Sequence, residues 1–322
     1  MEHAGPPLPP DRAKAIDAVA HAAGSGDWRS AASYVEGAGR DWDERWSRLE
    51  LLVHLADKDD AWLRDWRAAE PKDCVAATVH AQLLLQGAWS VRGTGYAHTV
   101  SPDLMSRFRA LLRETMDAAE KAATLDADDP GPWVVMITAA RGLRFEHDRF
   151  QRVWLELFKR APHHYMGHRQ ALEYWCAKWA GSHKLMMDFA ERAVHRAPAG
   201  SPLAGIYLHA LDELASRPRD ATLPSTPAAK EMLESIAHSF DQVIDDYERL
   251  PRLRHLLAHY LVEAQCYDTA LEQFRRLGPW CGAEPWTRHR SPARAFDLTR
   301  GIAARRSRQV VEADTSGNGP NG

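Results

Sequence analysis

Apolar side chains recur at three- and four-residue steps along almost the whole chain, which is the spacing of one face of an α-helix. No extended run alternates Val, Ile, Thr or Tyr with polar residues, as a half-buried strand would. One such stripe follows Asp41, a candidate N-cap, and consists of Trp42, Trp46, Leu49, Leu52, Val53 and Ala56. A second stripe consists of Phe150, Val153, Trp154, Leu157 and Phe158. The pattern predicts an all-α protein of about fourteen helices joined by short turns.

The turns between these helices repeat. Asp129-Pro130, Ala161-Pro162 and Ala197-Pro198 each separate two amphipathic segments, and their prolines are 32 and 36 residues apart. Repeats of helix–turn–helix pairs have a period of about 34 residues. The clearest copy lies near the C-terminus, where small and large apolar residues alternate so that two helices can interlock; it comprises Leu257, Ala258, Leu261, Tyr267, Ala270 and Phe274.

On these residues the chain resembles tetratricopeptide-like (TPR-like) repeat proteins over about residues 75–280, in irregular form. Ile137 and Ala140 stand where the repeat pattern prefers Gly and Tyr. The segment from Trp175 to Leu203 is also similar to an actinobacterial family of TPR-like proteins of unknown function. The resemblance implies a right-handed solenoid of helical hairpins with a concave groove, and it implies no activity.

Composition along the chain divides it into five segments. Residues 1–10 carry four prolines and are expected to form a flexible N-terminus, and residues 11–72 an N-terminal helical region. The TPR-like repeats are expected over 73–287, with insertion loops at 92–103 and 217–227. A basic helix is predicted over 288–311 and a disordered tail over 312–322.

Charge and cysteine usage limit the compartment and the partners. The net charge of −3 over 322 residues gives no overall field for nucleic acid or an anionic membrane. Residues 1–14 show neither the basic nor the apolar region of a secretory signal, and Cys74, Cys176, Cys266 and Cys281 form no CxxC pair. The stretch from Cys74 to Val91 has no charged side chain, but its polar residues favour a buried helix over a membrane span. We expect a cytoplasmic protein that is not bound to a membrane.

Seven arginines between Arg288 and Arg308 face a single acid, Asp297. Such a patch could bind nucleic acid, but it lacks interleaved aromatic residues, so a solvated terminal helix is the favoured interpretation and nucleic acid is not an expected partner.

Histidines at helical spacing form a candidate metal site. His255, His259 and Glu263 have the pattern H-x3-H-x3-E, which places three potential ligands on one helix face, expected to line the groove. The alternative is chance, because 16 histidines in a helical chain produce several such pairs. No HExxH motif is present. No cofactor is therefore predicted, and a divalent metal stays an alternative.

A second candidate constellation combines tryptophans with cations, which suits an extended peptide, an aromatic ring or an anionic group. Its residues are Arg92, Tyr96, His168, Trp175, Lys178, Trp179 and His183. The alternative is that these large rings only fill gaps between helices. The glycines after Arg92 lack the GK[ST] of a phosphate loop, and no GxSxG motif is present.

We therefore expect a TPR-like scaffold that binds a peptide or protein segment in its concave groove. The alternative is a biosynthetic enzyme that acts on a small molecule in a His/Glu/Trp-lined groove and is metal-dependent or not. The sequence contains no catalytic motif that decides between the two.

Overall fold

A computed structural model of the chain describes residues 8–93, 100–215, 225–244 and 247–316, with side chains as far as residue 307. The described residues form fifteen α-helices and no strand, which confirms the all-α prediction. The first eight helices are α1 (Pro10–Gly24), α2 (Trp28–Glu36), α3 (Trp42–Lys58), α4 (Ala61–Ala69), α5 (Cys74–Arg92), α6 (Pro102–Ala123), α7 (Gly131–Gly142) and α8 (His147–Arg160). The remaining seven are α9 (Tyr165–Trp175), α10 (His183–Arg196), α11 (Ile206–Ala215), α12 (Pro227–Phe240), α13 (Leu250–Glu263), α14 (Tyr267–Leu277) and α15 (Pro292–Ser316).

The chain divides into two compact units, of which one spans residues 10–186 and the other is built mainly from residues 187–322. In the first unit α7 is the central helix. It contacts α5, α6, α8 and α9, and ten of its twelve residues are buried. Its sequence, GPWVVMITAARG, is apolar on every side, as expected of a helix that neighbours surround.

Glycine lets α7 approach α6 closely. A Cβ atom at Gly142 would overlap Leu112 Cδ1 and lie 3.1 Å from Phe108 Cζ. Both of those side chains lie on the buried face of α6. Close contact between α6 and the C-terminal end of α7 therefore depends on the missing side chain at position 142.

Helix α3 contacts both α5 and α9 in this unit. The carboxylate of Asp43 accepts a hydrogen bond from the backbone N–H of Tyr165, the first residue of α9, at 2.8 Å. The predicted cap of α3 is confirmed, because Asp41 Oδ1 accepts from the backbone N–H of Glu44 at 3.1 Å. Successive helices also pack in pairs, as α5 does with α6 and α6 with α7, whereas the predicted solenoid stays a prediction.

In the second unit α13 occupies the central position and contacts α11, α12, α14 and α15. The predicted hairpin of α13 and α14 forms, with Ala258 and Ala270 fully buried between helices. Arg254 is also buried, and its guanidinium donates to Gln273 Oε1 at 2.6 Å and to the carbonyl of Phe240 at 2.9 Å. This arginine therefore links α12, α13 and α14.

The segment boundaries can be compared only where residues are described. Helix α1 begins at Pro10, α5 ends at Arg92 and α6 begins at Pro102, so the predicted loop at 92–103 separates two helices, although 94–99 lie outside the described residues. Most of the predicted loop at 217–227 also lies outside them. The backbone of α15 starts at Pro292 and continues to Ser316, which is five residues into the segment predicted as a tail.

Candidate functional site

A group of cations and tryptophans comes together in the first unit, where α5, α7 and α9 supply residues at or near their C-terminal ends. Trp89 and Arg92 lie in the last turn of α5, and Arg141 is the penultimate residue of α7. Arg169 and Glu173 are on α9, and the turn after α9 carries Lys178 and Trp179. We call these seven residues the Trp89–Trp179 cluster. Cations are favoured at helix C-termini, which is one reason for their concentration here.

Two arginines flank two edge-packed indoles. The ring centroids of Trp89 and Trp179 are 5.5 Å apart, with an angle of 86° between their planes. The guanidinium carbon of Arg92 lies 5.5 Å from the Trp89 ring and 5.2 Å from the Trp179 ring. That of Arg141 lies at 4.7 Å and 5.2 Å from the same rings. Cation–π contacts of this kind orient the guanidinium groups before any ligand binds.

Among the described residues, Glu173 is the carboxylate that pairs with cations of the cluster. It pairs with Arg169 at 2.5 Å, Lys178 at 2.9 Å and Arg141 at 3.7 Å. Burial alone would raise the pKa of Glu173, but Arg169, Lys178 and Arg141 outweigh this effect and lower it to about 2. Burial also lowers the pKa of Arg141 to about 10. With four cations and one anion, the cluster carries a formal surplus of positive charge.

Three N–H donors in the cluster are buried without a hydrogen-bond partner among the described residues. They are Nε1 of Trp89, Nε1 of Trp179 and Nε of Arg141. A buried donor without an acceptor costs about 1–3 kcal/mol. Unsatisfied N–H donors and surplus positive charge both favour an anionic group over a cationic one as a ligand of the cluster.

The predicted binding residues divide into four groups. Arg92, Lys178 and Trp179 belong to the cluster, whereas Tyr96 lies outside the described residues. His183 begins α10 and has a buried Nδ1 without a partner in the described part of the chain.

Trp175 and His168 are buried, and their expected part in binding stays a prediction. Trp175 packs edge-on against Phe150, with ring centroids 5.7 Å apart, and lies 4.9 Å from the ring of His147. The ring of His168 lies edge-on to Trp154 at 4.8 Å. Both side chains therefore pack against aromatic rings of α8.

The predicted metal ligands do not converge. His255 is fully buried: its Nδ1 accepts a hydrogen bond from Trp286 Nε1 at 2.9 Å, and its ring lies edge-on to Trp280 at 4.8 Å. Glu263 is exposed and His259 is half-buried. Within the described ranges no group of three or more His, Cys, Asp or Glu side chains is placed to hold a metal ion. His255 therefore lies on a buried side of α13, because helices surround α13 on several sides.

The arginines near the C-terminus are partly neutralised. Arg288 pairs with Asp212 at 2.5 Å and with Glu284 at 2.7 Å, and Arg300 pairs with Asp297 at 2.9 Å.

No helix in the described part of the chain is both long enough and apolar enough to cross a bilayer.

Sequence reasoning missed Trp89, Arg141, Arg169 and Glu173. One signal was available at Arg141, because a lone charge near the end of the otherwise apolar α7 needs a specific partner.

No known family model matches the chain, and no curated protein matches it with significance. The TPR-like resemblance therefore stays a prediction from the repeat pattern.

Proposed function

We propose that the chain is a binding module that captures an acidic segment of a partner protein at the Trp89–Trp179 cluster. The observation that carries the proposal is the excess of four cations over one carboxylate, together with three buried N–H donors that lack partners in the described part of the chain. This is the peptide-binding scaffold expected from the sequence, with its site placed at the cluster and its compartment expected to be the cytoplasm.

Carboxylates are the ligand groups to which the cluster is best suited. A guanidinium group donates two parallel hydrogen bonds to a carboxylate, and such charge-assisted bonds are the strong ones. Arg92 and Arg141 contact the same two indoles, so their side chains are already oriented and lose little entropy on binding. The indole rings can also bury the aliphatic part of a Glu side chain.

Glu173 acts as an internal competitor in this proposal. It pairs with Arg141, Arg169 and Lys178 and thereby occupies donors that an incoming carboxylate would use. Removal of its charge should strengthen the binding of an acidic peptide, whereas a mainly structural carboxylate would give weaker or unchanged binding. The direction of this effect makes Glu173→Gln the most informative variant.

The test is a calorimetric titration of the full chain with a short polyglutamate peptide blocked at both ends, with polylysine of equal length as the opposite-charge probe. We expect polyglutamate alone to bind, Arg92→Gln to weaken it about tenfold and Glu173→Gln to tighten it several-fold. Arg113→Gln is the matched control, because Arg113 is an exposed arginine on α6 outside the cluster. Circular dichroism confirms that each variant is folded.

Two results would reject the proposal. One is equal affinity for the acidic and basic peptides, and the other is an Arg113→Gln effect as large as that of Arg92→Gln.

A further inference from the structure

A separate cleft lies in the first unit between α4, α5 and α6. Its volume is about 510 Å³, which is within the range of small-molecule sites. Ala77, His80 and Leu84 of α5 line it, at the spacing of one helix face. The end of α4 and the following turn form one wall and α6 forms the other. None of the residues of the Trp89–Trp179 cluster lines this cleft.

Charges of both signs line the cleft without pairing. The cations are Arg67 and Lys121, and the carboxylates are Glu70, Glu114 and Asp117. None of these five side chains has a hydrogen bond or ion pair to a residue that the structure describes. A fourth carboxylate, Asp73, is occupied, since it caps α5 at the backbone N–H of Ala76 and accepts from Trp66 Nε1.

Arg67 is the most constrained of these charges. It is half-buried, and burial lowers its pKa with no carboxylate offsetting the effect. His80 is half-buried as well, and its pKa is lowered by burial and by the nearby charge of Arg67. A neutral His80 leaves Arg67 as the cation that a ligand carboxylate would meet at the α4 side of the cleft.

We propose that the cleft binds a free basic amino acid, which carries one carboxylate and two cationic groups. The carboxylate would pair with Arg67, and the α-ammonium and the side-chain cation would pair with carboxylates of α6 and of the turn after α4. The ligand's aliphatic chain would lie along Ala77 and Leu84. With Asp73, which stays charged because its hydrogen-bond donors are neutral, the lining carries four negative and two positive charges, so a ligand of net positive charge reduces the net charge of the cleft.

The charge pattern can be tested with three ligands of similar chain length. L-Lysine has all three charges, cadaverine lacks the carboxylate and L-norleucine lacks the side-chain cation. Isothermal titration of the full chain should give the tightest binding for L-lysine, with each analogue weaker by about tenfold, the value of one charge-assisted contact. Equal binding of cadaverine and L-lysine would overturn the role of Arg67, and absence of L-lysine binding at millimolar concentration would overturn the site.

Variants assign each charge to its partner. Arg67→Gln should remove the preference for L-lysine over cadaverine, and Asp117→Asn should reduce the preference over L-norleucine. Glu120→Gln is the matched control, because Glu120 is exposed on α6 and does not line the cleft. If Glu120→Gln weakens binding as much as Asp117→Asn, the ligand is attracted by general negative charge and the site is rejected. Polyglutamate binding by Arg67→Gln should be unchanged, which separates this test from that of the Trp89–Trp179 cluster.

Discussion

His255 should make the stability of the second unit fall in mild acid. The imidazole is fully buried among Trp280, Trp286 and Phe296, and burial lowers its pKa from 6.5 to about 4. A group whose folded pKa is lowered binds fewer protons in the folded chain than in the unfolded chain over the interval between the two values. Stability is therefore complete above about pH 6.5 and is lost as the pH falls towards about 4.

The size of the effect follows from the shift. One pKa unit corresponds to about 1.4 kcal/mol. Where His255 is protonated in the unfolded chain but still neutral in the folded chain, the difference removes about 3 kcal/mol from the free energy of unfolding. This is a large part of the total stability of an ordinary domain. His259, whose pKa is also lowered by burial, adds to the loss in the same direction.

The assay is urea unfolding at several pH values from about 7 to about 4.5, followed by tryptophan fluorescence and far-ultraviolet circular dichroism. The variant is His255→Gln, which retains an acceptor for Trp286 Nε1 but does not titrate. We expect this variant to be less stable at neutral pH and to lose less stability on acidification than the wild type. The matched control is His195→Gln, since His195 is exposed near the end of α10. Equal pH slopes for wild type and His255→Gln would refute the argument.

Three further changes have defined outcomes. Arg254→Met leaves Gln273 Oε1 and the Phe240 carbonyl without their donor and should lower the free energy of unfolding by about 1–3 kcal/mol in urea titrations. An unchanged free energy of unfolding would contradict this. Gly142→Ala forces a Cβ against Leu112 and should lower it by about 1–3 kcal/mol, whereas an unchanged unfolding midpoint would show that α6 and α7 separate freely. Glu173 has a folded pKa of about 2, so its stabilising contribution should be present above about pH 4.5 and be lost as the pH falls towards 2. Glu173→Gln should flatten the dependence of the free energy of unfolding on pH in this range. The same pH dependence in the wild type and the variant would refute the ion pairs.

Helix positions could be predicted from the sequence because periodicity and capping are local. The stripe after Asp41 became α3, and Asp41 caps it as expected. The hairpin around Ala258 and Ala270 was also predictable, because small residues at fixed spacing require close helix packing. For α7 and α13 the same periodicity could not say which face is exposed, since both helices are buried on almost every side.

The candidate site could be predicted only in part. Lys178 and Trp179 are predictable because they are adjacent in the sequence, and Arg92 is predictable because it begins the insertion loop at 92–103. Trp89 packs against Trp179 across 90 positions of sequence, and no local pattern indicates that contact. Trp175 and Trp179 differ in their surroundings because α9 ends at Trp175 and Trp179 lies in the turn that follows.

The most direct test of the central claim is a nuclear magnetic resonance titration of the indole N–H signals with the blocked polyglutamate peptide. Trp→Phe variants assign the signals of Trp89, Trp179 and Trp286. We predict that Trp89 and Trp179 shift on binding, because a peptide carboxylate paired with Arg92 lies beside both rings, while Trp286 stays hydrogen-bonded to His255 and does not shift. Binding that leaves Trp89 and Trp179 unshifted, or that shifts Trp286 instead, would contradict the assignment of the Trp89–Trp179 cluster as the binding site.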